Sequence, residues 1–326
     1  MNMISKVDHR AQPTVGPSLV EGRGTPTRGG PTRGDACVSH LSMETRKVGG
    51  VKRSWWQRQG KPAFSHLALG VMALTMLAPF VWMLLCSFKP LSEVEALNPI
   101  PVSWQAGNYS RVFQEIPFAR YYFNSVFIAL WVTFLQCLTS AMAAYAFARL
   151  RWRGREMVFR LYLATLMIPG VVTMIPNYTV MVKLGLLDSY TGLIVPAAFS
   201  AFGTFLLRQF MLGLPRSLDE AAAMDGASHW RIFWDIIMPL ARPGLITLGI
   251  FTLIGNYGSF FWPLVMIKSE CLRTLPIGML AFDGIYGRQT NLLMAASVMN
   301  IIPLIILFVI AQKHVVKGIQ LGAVKG

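Results

Sequence analysis

The chain has 326 residues, of which 54% are hydrophobic and only 14% charged, and its mean hydropathy is +0.48. A soluble globular chain carries about 25% charged residues, so the composition excludes an ordinary soluble protein and points to one bundle of membrane-spanning helices. Four cysteines without a CxxC and five histidines without an HxxxH or HExxH leave neither a disulfide framework nor a zinc enzyme to build on.

Residues 1–60 are a separate material. The stretch "GPSLVEGRGTPTRGGPTRGDACVSH" is rich in Gly, Pro, Thr and Arg and too poor in apolar residues for a core, so a disordered basic tail is expected there. No apolar run precedes Phe64, which argues against a signal peptide. A start at Met43 would leave a short basic leader instead. The apolar part is then residues 61–326.

Six runs free of Asp, Glu, Lys and Arg follow, at residues 64–88, 121–148, 161–182, 189–207, 243–267 and 291–312. A hydrocarbon core about 30 Å thick needs roughly 20 helical residues, so each run is expected to cross the membrane once, the fourth only just. The fold class expected is an all-α membrane protein with six transmembrane helices. The segments before the first run, between the second and third, between the fourth and fifth, and after the sixth hold 11, 5, 4 and 3 Lys and Arg; the alternate segments hold 3, 1 and 3. By the positive-inside rule both termini are cytoplasmic, as are "RLRWRGREMVFR" (149–160) and the segment 217–241. Topology and the basic tail thus account for the net charge of +15, and no nucleic-acid partner is needed. Of the outward segments, 89–125 holds an amphipathic piece at 109–113 expected to lie along the membrane surface, and 268–290 reads as a loop with a short helix.

The polar segment 217–241 is ordered by its own sequence. Asp219 and Glu220 would open a helix, where negative charge suits the dipole, and Leu218, Ala221, Ala222 and Asp225 keep helical spacing. Gly226 permits a turn, and 227–237 resumes a helix with Trp230, Phe233, Trp234 and Ile237 on one side until Pro239 and Pro243 end it. Small residues let another surface approach, while Glu220 and Asp225 would meet basic groups on it. The other reading is an interfacial helix whose Trp residues sit at headgroup level.

The stretch "EAAAMDGASHWRIFWDIIMPLARP" resembles the EAA loop of ABC importer permeases, with Glu220, Ala221, Ala222, Asp225, Gly226, Ala227, Phe233, Ile236 and Pro239 on the pattern. The resemblance runs over residues 64–326, through "PFVWMLLCSFKP", "NYSRVF", "NSVFIAL", "AYAFARLRWRGR", "LLMAASVMNIIP" and "VVKGIQLGAVKG", and is nearest the carbohydrate-uptake permeases of the maltose-transporter type. It implies an importer type I permease fold in the bacterial cytoplasmic (inner) membrane. It also implies a second homologous permease subunit, two ATP-binding subunits that hold ATP and Mg, an extracytoplasmic solute-binding protein and the lipid bilayer as partners. In the family this loop is the coupling helix seated in the ATPase, so Glu220 would be the charged contact, Ala221 and Ala222 the close-packed face, and Gly226 the hinge. The tail "LGAVKG" would also reach the ATPase.

The chain has no GxxxxGK[ST], so it is a transport subunit and ATP hydrolysis falls to a partner; no cofactor is expected on the chain itself. An ion-coupled secondary transporter would keep ionisable groups within the runs, and these have none. A membrane-embedded enzyme has no nucleophile and base to name. For the substrate path, "GNYGSFFWPLVMI" (255–267) offers Asn256 with Phe260 on one face, Tyr257 with Phe261 on another, and Trp262 before Pro263. Amides bond sugar hydroxyls and aromatic faces cover sugar C–H surfaces. Asn256 comes first, because an amide in a membrane span needs a partner, and Asn177 and Tyr178 follow; the plain alternative is helix packing. The family often shows an acidic residue in W-N-D/E-F where this chain has a Gly-Ser pair, which weakens any transfer of substrate identity. A sugar is expected, oligosaccharides ahead of monosaccharides, with sn-glycerol 3-phosphate and polyols as rivals.

Overall fold

The structure, a computed structural model, describes residues 55–96, 98–284 and 287–323. Most of the expected N-terminal tail and the end of "LGAVKG" lie outside them. By contacts the chain divides into Met1–Lys61 and Pro62–Gly326, and the helical bundle is the second unit.

Helix α1 (Trp55–Ser87) begins before the boundary expected at residue 60, and its apolar part, Phe64–Ser87, is exposed along nearly its whole length. Short helices α2 (Leu91–Glu95) and α3 (Gly107–Glu115) lead into α4 (Phe118–Ala148), the central helix. The amphipathic piece at 109–113 is α3, and it packs on the last helix of the chain, with Val112 fully buried. Then come α5 (Arg155–Ala164), α6 (Gly170–Lys183), α7 (Tyr190–Ile194), α8 (Ala201–Leu212) and α9 (Ser217–Met224). After α10 (His229–Arg231), a π-helical turn at Ile232–Ile237 and α11 (Met238–Leu240), the chain enters α12 (Arg242–Tyr257). It closes with α13 (Phe261–Met266), α14 (Leu275–Gly278), a small hairpin of β1 (Asp283–Gly284) and β2 (Gly287–Arg288), and α15 (Thr290–Ala323). In the hairpin Asp283 pairs with Arg288 and Gly284 with Gly287, antiparallel.

Among the described residues, three helices are long and apolar enough to cross a membrane alone: Phe64–Ser87, Phe118–Ala148 and Thr290–Gln312. The remaining three expected spans are not single rods. They are bent pairs, Arg155–Met167 with Gly170–Lys183 at 101°, Tyr190–Ala198 with Ala201–Leu212 at 42°, and His229–Leu240 with Arg242–Tyr257 at 75°, so the count reaches six only if each pair is one span. The sharpest bend has a local cause: Pro169 disfavours helical geometry in the residue before it, and Ile168 is extended, with φ −85° and ψ 118°. At the second bend Phe199 is extended and the Ser200 side chain caps the new helix by accepting from Gly203 N. The fifth run, 243–267, likewise stops as a helix at Tyr257 and restarts at Phe261.

Packing centres on α4, which lies against α8 and α12, while α12 also meets α15. Its fully buried Ala129, Ala141, Ala144 and Ala148 have no bulk to hold neighbours off, which is how helices approach closely where no hydrophobic effect drives them together. One apolar cluster gathers Ala144, Ala148, Leu207, Met211, Ala222, Phe233 and Ile237 around one end of α4. Another gathers Val112, Phe118, Tyr121, Leu275, Phe282 and Leu292 at the other end, and a third sits between, around Ile128, Val132, Met181, Leu193 and Met266. Buried amides tie the far end together: Asn108 Nδ2 donates to Ser87 O and Lys89 O, and Asn124 Nδ2 to Cys271 O and Arg273 O.

Candidate functional site: an exposed capping helix and an uncharged cavity

At one end of α4 stands the segment 217–241. Asp219 and Glu220 occupy the first turn of α9, as the sequence implies. The helix ends in a Schellman motif, with Gly226 N donating to Ala223 O (3.1 Å) and Ala227 N to Ala222 O (2.9 Å). That motif needs a left-handed residue, and Gly226 supplies φ +80°. Ser228 then caps α10 by accepting from Arg231 N, and Pro239, which has no N–H for Asp235 O, follows the π-helical turn.

The two alanines expected to form one close-packed face part company. Ala222 turns inward (9% exposed) to pack with Phe233 and Ile237, while Ala221 is exposed together with Glu220, Asp225 and Gly226. The reason is the helical period, which turns adjacent residues about 100° apart. The open face of α9 is therefore Leu218, Ala221, Met224 and Asp225, and Met224, at 89% exposure, was missed by sequence reasoning. In the second half Phe233 and Ile237 are buried, but Trp230 and Trp234 flank Phe233 on the exposed side, at centroid distances of 6.1 and 5.0 Å. Ala227 is half-buried and Pro239 exposed.

Arg149 fixes this segment to the bundle and was also missed. It is the residue after α4, its side chain is 4% exposed, it donates to Met211 O (2.6 Å) and Leu214 O (3.1 Å), and it pairs with Asp219 at 3.1 Å. Tyr145, four residues earlier, sets its ring 5.3 Å from that of Phe233 at a tilt of 56° and donates to His229 O.

Toward the other end lies a cavity of about 200 Å³, lined among others by Asn177, Asn256, Trp262, Ser125, Ser259 and Thr274. None of its lining residues is charged. The structure thus brings together Asn177 from α6, Asn256 from the end of α12 and Trp262 from α13. Asn256 Nδ2 bonds Thr252 O of its own helix (2.8 Å), and the Trp262 indole donates to Gly192 O (3.2 Å), so the indole offers the cavity a ring and not a donor. The Thr274 hydroxyl is buried with no hydrogen-bond partner among the described residues.

Tyr178, Tyr257, Phe260 and Phe261 are not in the lining. Tyr257 is 5% exposed and donates to Asn300 O, whereas Phe261 is 69% exposed, so they share no face. The helix breaks at Gly258 between them, which cancels the four-residue spacing that put Asn256 with Phe260 and Tyr257 with Phe261. Tyr178 packs beside Met181 and Leu193. Ser125, Ser259 and Thr274 carried no local signal, being common hydroxyl residues joined only by the fold.

One helix serves both places. Ile128 of α4 lines the cavity and Ala148 packs under the α9 segment, a separation of roughly 30 Å along the helix axis. The molecule is thus a bundle of apolar helices with an uncharged cavity at one place and an exposed helix at another.

Residues 136–320 match the family described as the inner membrane component of binding-protein-dependent transport systems. The chain is 35% identical over 278 residues to an arabinooligosaccharide transport permease of Halalkalibacterium halodurans, spanning 83% of this chain and all of the relative. It is 34% identical over 274 residues to an sn-glycerol-3-phosphate transport permease of Yersinia pestis, spanning 80% and 97%. Among solved structures, a chain of a bacterial ABC transporter that imports the acidic polysaccharide alginate aligns with a TM-score of 0.69 and 27% identity, over 78% of this chain and 95% of that one. The chain belongs to the family of binding-protein-dependent ABC importer permeases, and as such it is a transport component and not an enzyme.

Proposed function

We propose that the chain forms half of the translocation pathway of an importer for a neutral sugar or oligosaccharide, and that segment 217–241 couples it to an ATPase. The observation that carries this reading is that α4 joins an uncharged polar cavity at one place to the exposed face of α9 at another. Asn177, Asn256 and the free hydroxyl of Thr274 would bond sugar hydroxyls, and the Trp262 ring would cover a C–H face. On α9, Leu218, Ala221 and Met224 form a small apolar stripe between Glu220 and Asp225, suited to a cleft with basic groups at its rim. Glu220, Ala221, Ala222, Asp225, Gly226, Ala227 and Pro239 make up the coupling element, with Ala222 and Ala227 acting from beneath by setting its position.

In this reading both termini are cytoplasmic and the chain crosses the inner membrane six times, three of those crossings bent. It works with a second permease, two ATP-binding subunits that hold ATP and Mg, and an extracytoplasmic solute-binding protein. The arabinooligosaccharide relative favours a sugar. The sn-glycerol-3-phosphate relative supports a second reading, but a phosphorylated solute asks for a cation that the cavity lining lacks.

The test is recovery of the tagged chain from detergent with its partners, followed by ATPase measurement with binding protein loaded with different sugars. Stimulation by one loaded form, abolished by Glu220→Lys while membrane insertion stays normal, is the expected result. Stimulation unchanged by Glu220→Lys would remove the coupling role from α9. A response confined to glycerol phosphate would overturn the sugar reading.

A further inference from the structure

Where α4 ends and α5 begins, a groove of about 550 Å³ is lined by Arg151, Trp152, Arg155, Glu156, Arg160 and Arg216, among others. We propose that this groove binds the phosphate-bearing headgroup of an anionic phospholipid. The inference rests on the chain being a membrane permease, and on neither the sugar class nor the coupling role.

Charge is the first argument. Glu156, the one acid of the groove, already accepts from Arg155 at 3.0 Å and from Arg208 at 2.8 and 3.1 Å. Among the described residues, Arg151, Arg160 and Arg216 have no ion-pair partner; Arg160 donates only to the Glu156 carbonyl, at 3.3 Å. Three exposed guanidinium groups, none paired with the groove's single acid, suit a phosphate, whose oxygens accept their paired N–H donors.

Position selects a lipid over a free anion. The groove sits where the apolar length of α4 gives out, and on α5 the exposed Met157, Val158 and Leu161 continue from it. A free phosphate would meet the arginines and leave that strip bare. A phospholipid covers both, with the headgroup on the arginines and an acyl chain along the strip, while Trp152, 41% exposed, takes the interfacial place that indoles favour. Arg216 carries the site's effect inward. It precedes α9, and its carbonyl accepts from Asp219 N (3.0 Å) and Glu220 N (3.1 Å), so a headgroup held here restrains the start of that helix.

The experiment uses the whole transporter, purified with its partner subunits and exchanged into bilayer discs of phosphatidylcholine with or without phosphatidylglycerol. Lipid retained after mild detergent release is counted by native mass spectrometry. The variant carries Arg151→Gln, Arg160→Gln and Arg216→Gln and leaves Arg155 and Arg208 to their partner Glu156. Several-fold loss of retained phosphatidylglycerol, with retained phosphatidylcholine unchanged, is expected. Equal retention in variant and wild type overturns the proposal. Inorganic phosphate that displaces phosphatidylglycerol as effectively as the intact lipid does would reduce the groove to a small-anion site and overturn the lipid. A folded variant that no longer retains the ATPase subunit would assign the groove to that protein instead. Should the triple variant fail to fold, Arg151→Gln and Arg160→Gln singly, both at exposed positions, read the same loss in part.

Discussion

Arg149 holds Asp219 at 3.1 Å, and through that contact the end of the central helix grips the start of α9. The same guanidinium takes Met211 O and Leu214 O, so one side chain joins three elements. Arg149→Gln leaves two carbonyls and a carboxylate without their donor. Removing one partner of a buried ion pair typically costs about 3–5 kcal/mol, and a large drop in thermal unfolding temperature in detergent is expected. Arg149→Lys should fall between, because an ammonium cannot present the planar fork to all three acceptors. A melting curve indistinguishable from wild type would show that the contact is incidental.

Gly226 separates backbone geometry from packing. A Cβ there would meet nothing within 4 Å, so any cost of substitution comes from φ +80°. Left-handed geometry costs an ordinary L-residue roughly 1–2 kcal/mol and a β-branched one more, whereas Asn adopts it readily. Gly226→Val is expected to lower solute-stimulated ATPase activity with membrane insertion unchanged, and Gly226→Asn to retain most of it. Equal loss in both would point to the exposed surface at this position and away from the turn.

Gly278 presents the opposite case. A Cβ on it would lie 2.1 Å from Cδ2 of Tyr121, a ring only 1% exposed and bonded through its hydroxyl to Glu270. Overpacking of this kind costs about 1–3 kcal/mol, so Gly278→Ala should lower thermal stability clearly. Tyr121→Phe keeps the ring and should not relieve the clash. In a Tyr121→Ala background the same alanine should cost far less, and a double-mutant cycle reads that coupling. Additive effects would mean the two residues do not meet.

The sequence reports burial against lipid better than it reports direction. The charge-free runs 64–88, 121–148 and 291–312 fall on the helices Phe64–Ser87, Phe118–Ala148 and Thr290–Gln312, where apolarity and a single helix coincide. The same signal passed over the bend at Pro169, because a run stays apolar whichever way the backbone turns. Proline alone could not have announced it, since Pro176 and Pro303 sit inside continuous helices. In the cavity, Asn177 and Asn256 were legible as amides in apolar runs and Trp262 as an aromatic beside them. Ser125 and Thr274 were not, because they lie on either side of a contact between α4 and the segment before α14 that no local pattern encodes. Tyr257 and Phe261 misled for a local reason, a helix end at Gly258 that interrupts the assumed period.

Two loop carboxylates give the fold a pH dependence of known sign. Asp188, at φ +54°, accepts from the Ser269 hydroxyl, from Ser269 N (2.9 Å) and from Lys268 N (3.0 Å), joining the loop before α7 to the loop after α13. The Ser269 hydroxyl, followed by these amides, holds its carboxyl below the usual aspartate value. Glu93 accepts from Val102 N (2.9 Å) and from Ser103 N and its hydroxyl, and the Val102 amide is the main cause of its own lowered value. A carboxyl lowered on folding binds its proton less readily in the folded chain than in the unfolded one. Its contribution is therefore complete above the ordinary carboxylate range and is lost as pH falls through that range, near pH 4, toward the lowered value. Both residues are half-buried in surface loops where solvent still screens their carboxyls, so the effect is a shallow slope in unfolding temperature on the acid side. Asp188→Asn should remove part of that slope while leaving the backbone in place, since Asn accepts the left-handed geometry that Asp188 holds. A slope identical to wild type in this variant, measured by thermal unfolding across the acid range, would show that the clasp between the two loops adds nothing to stability.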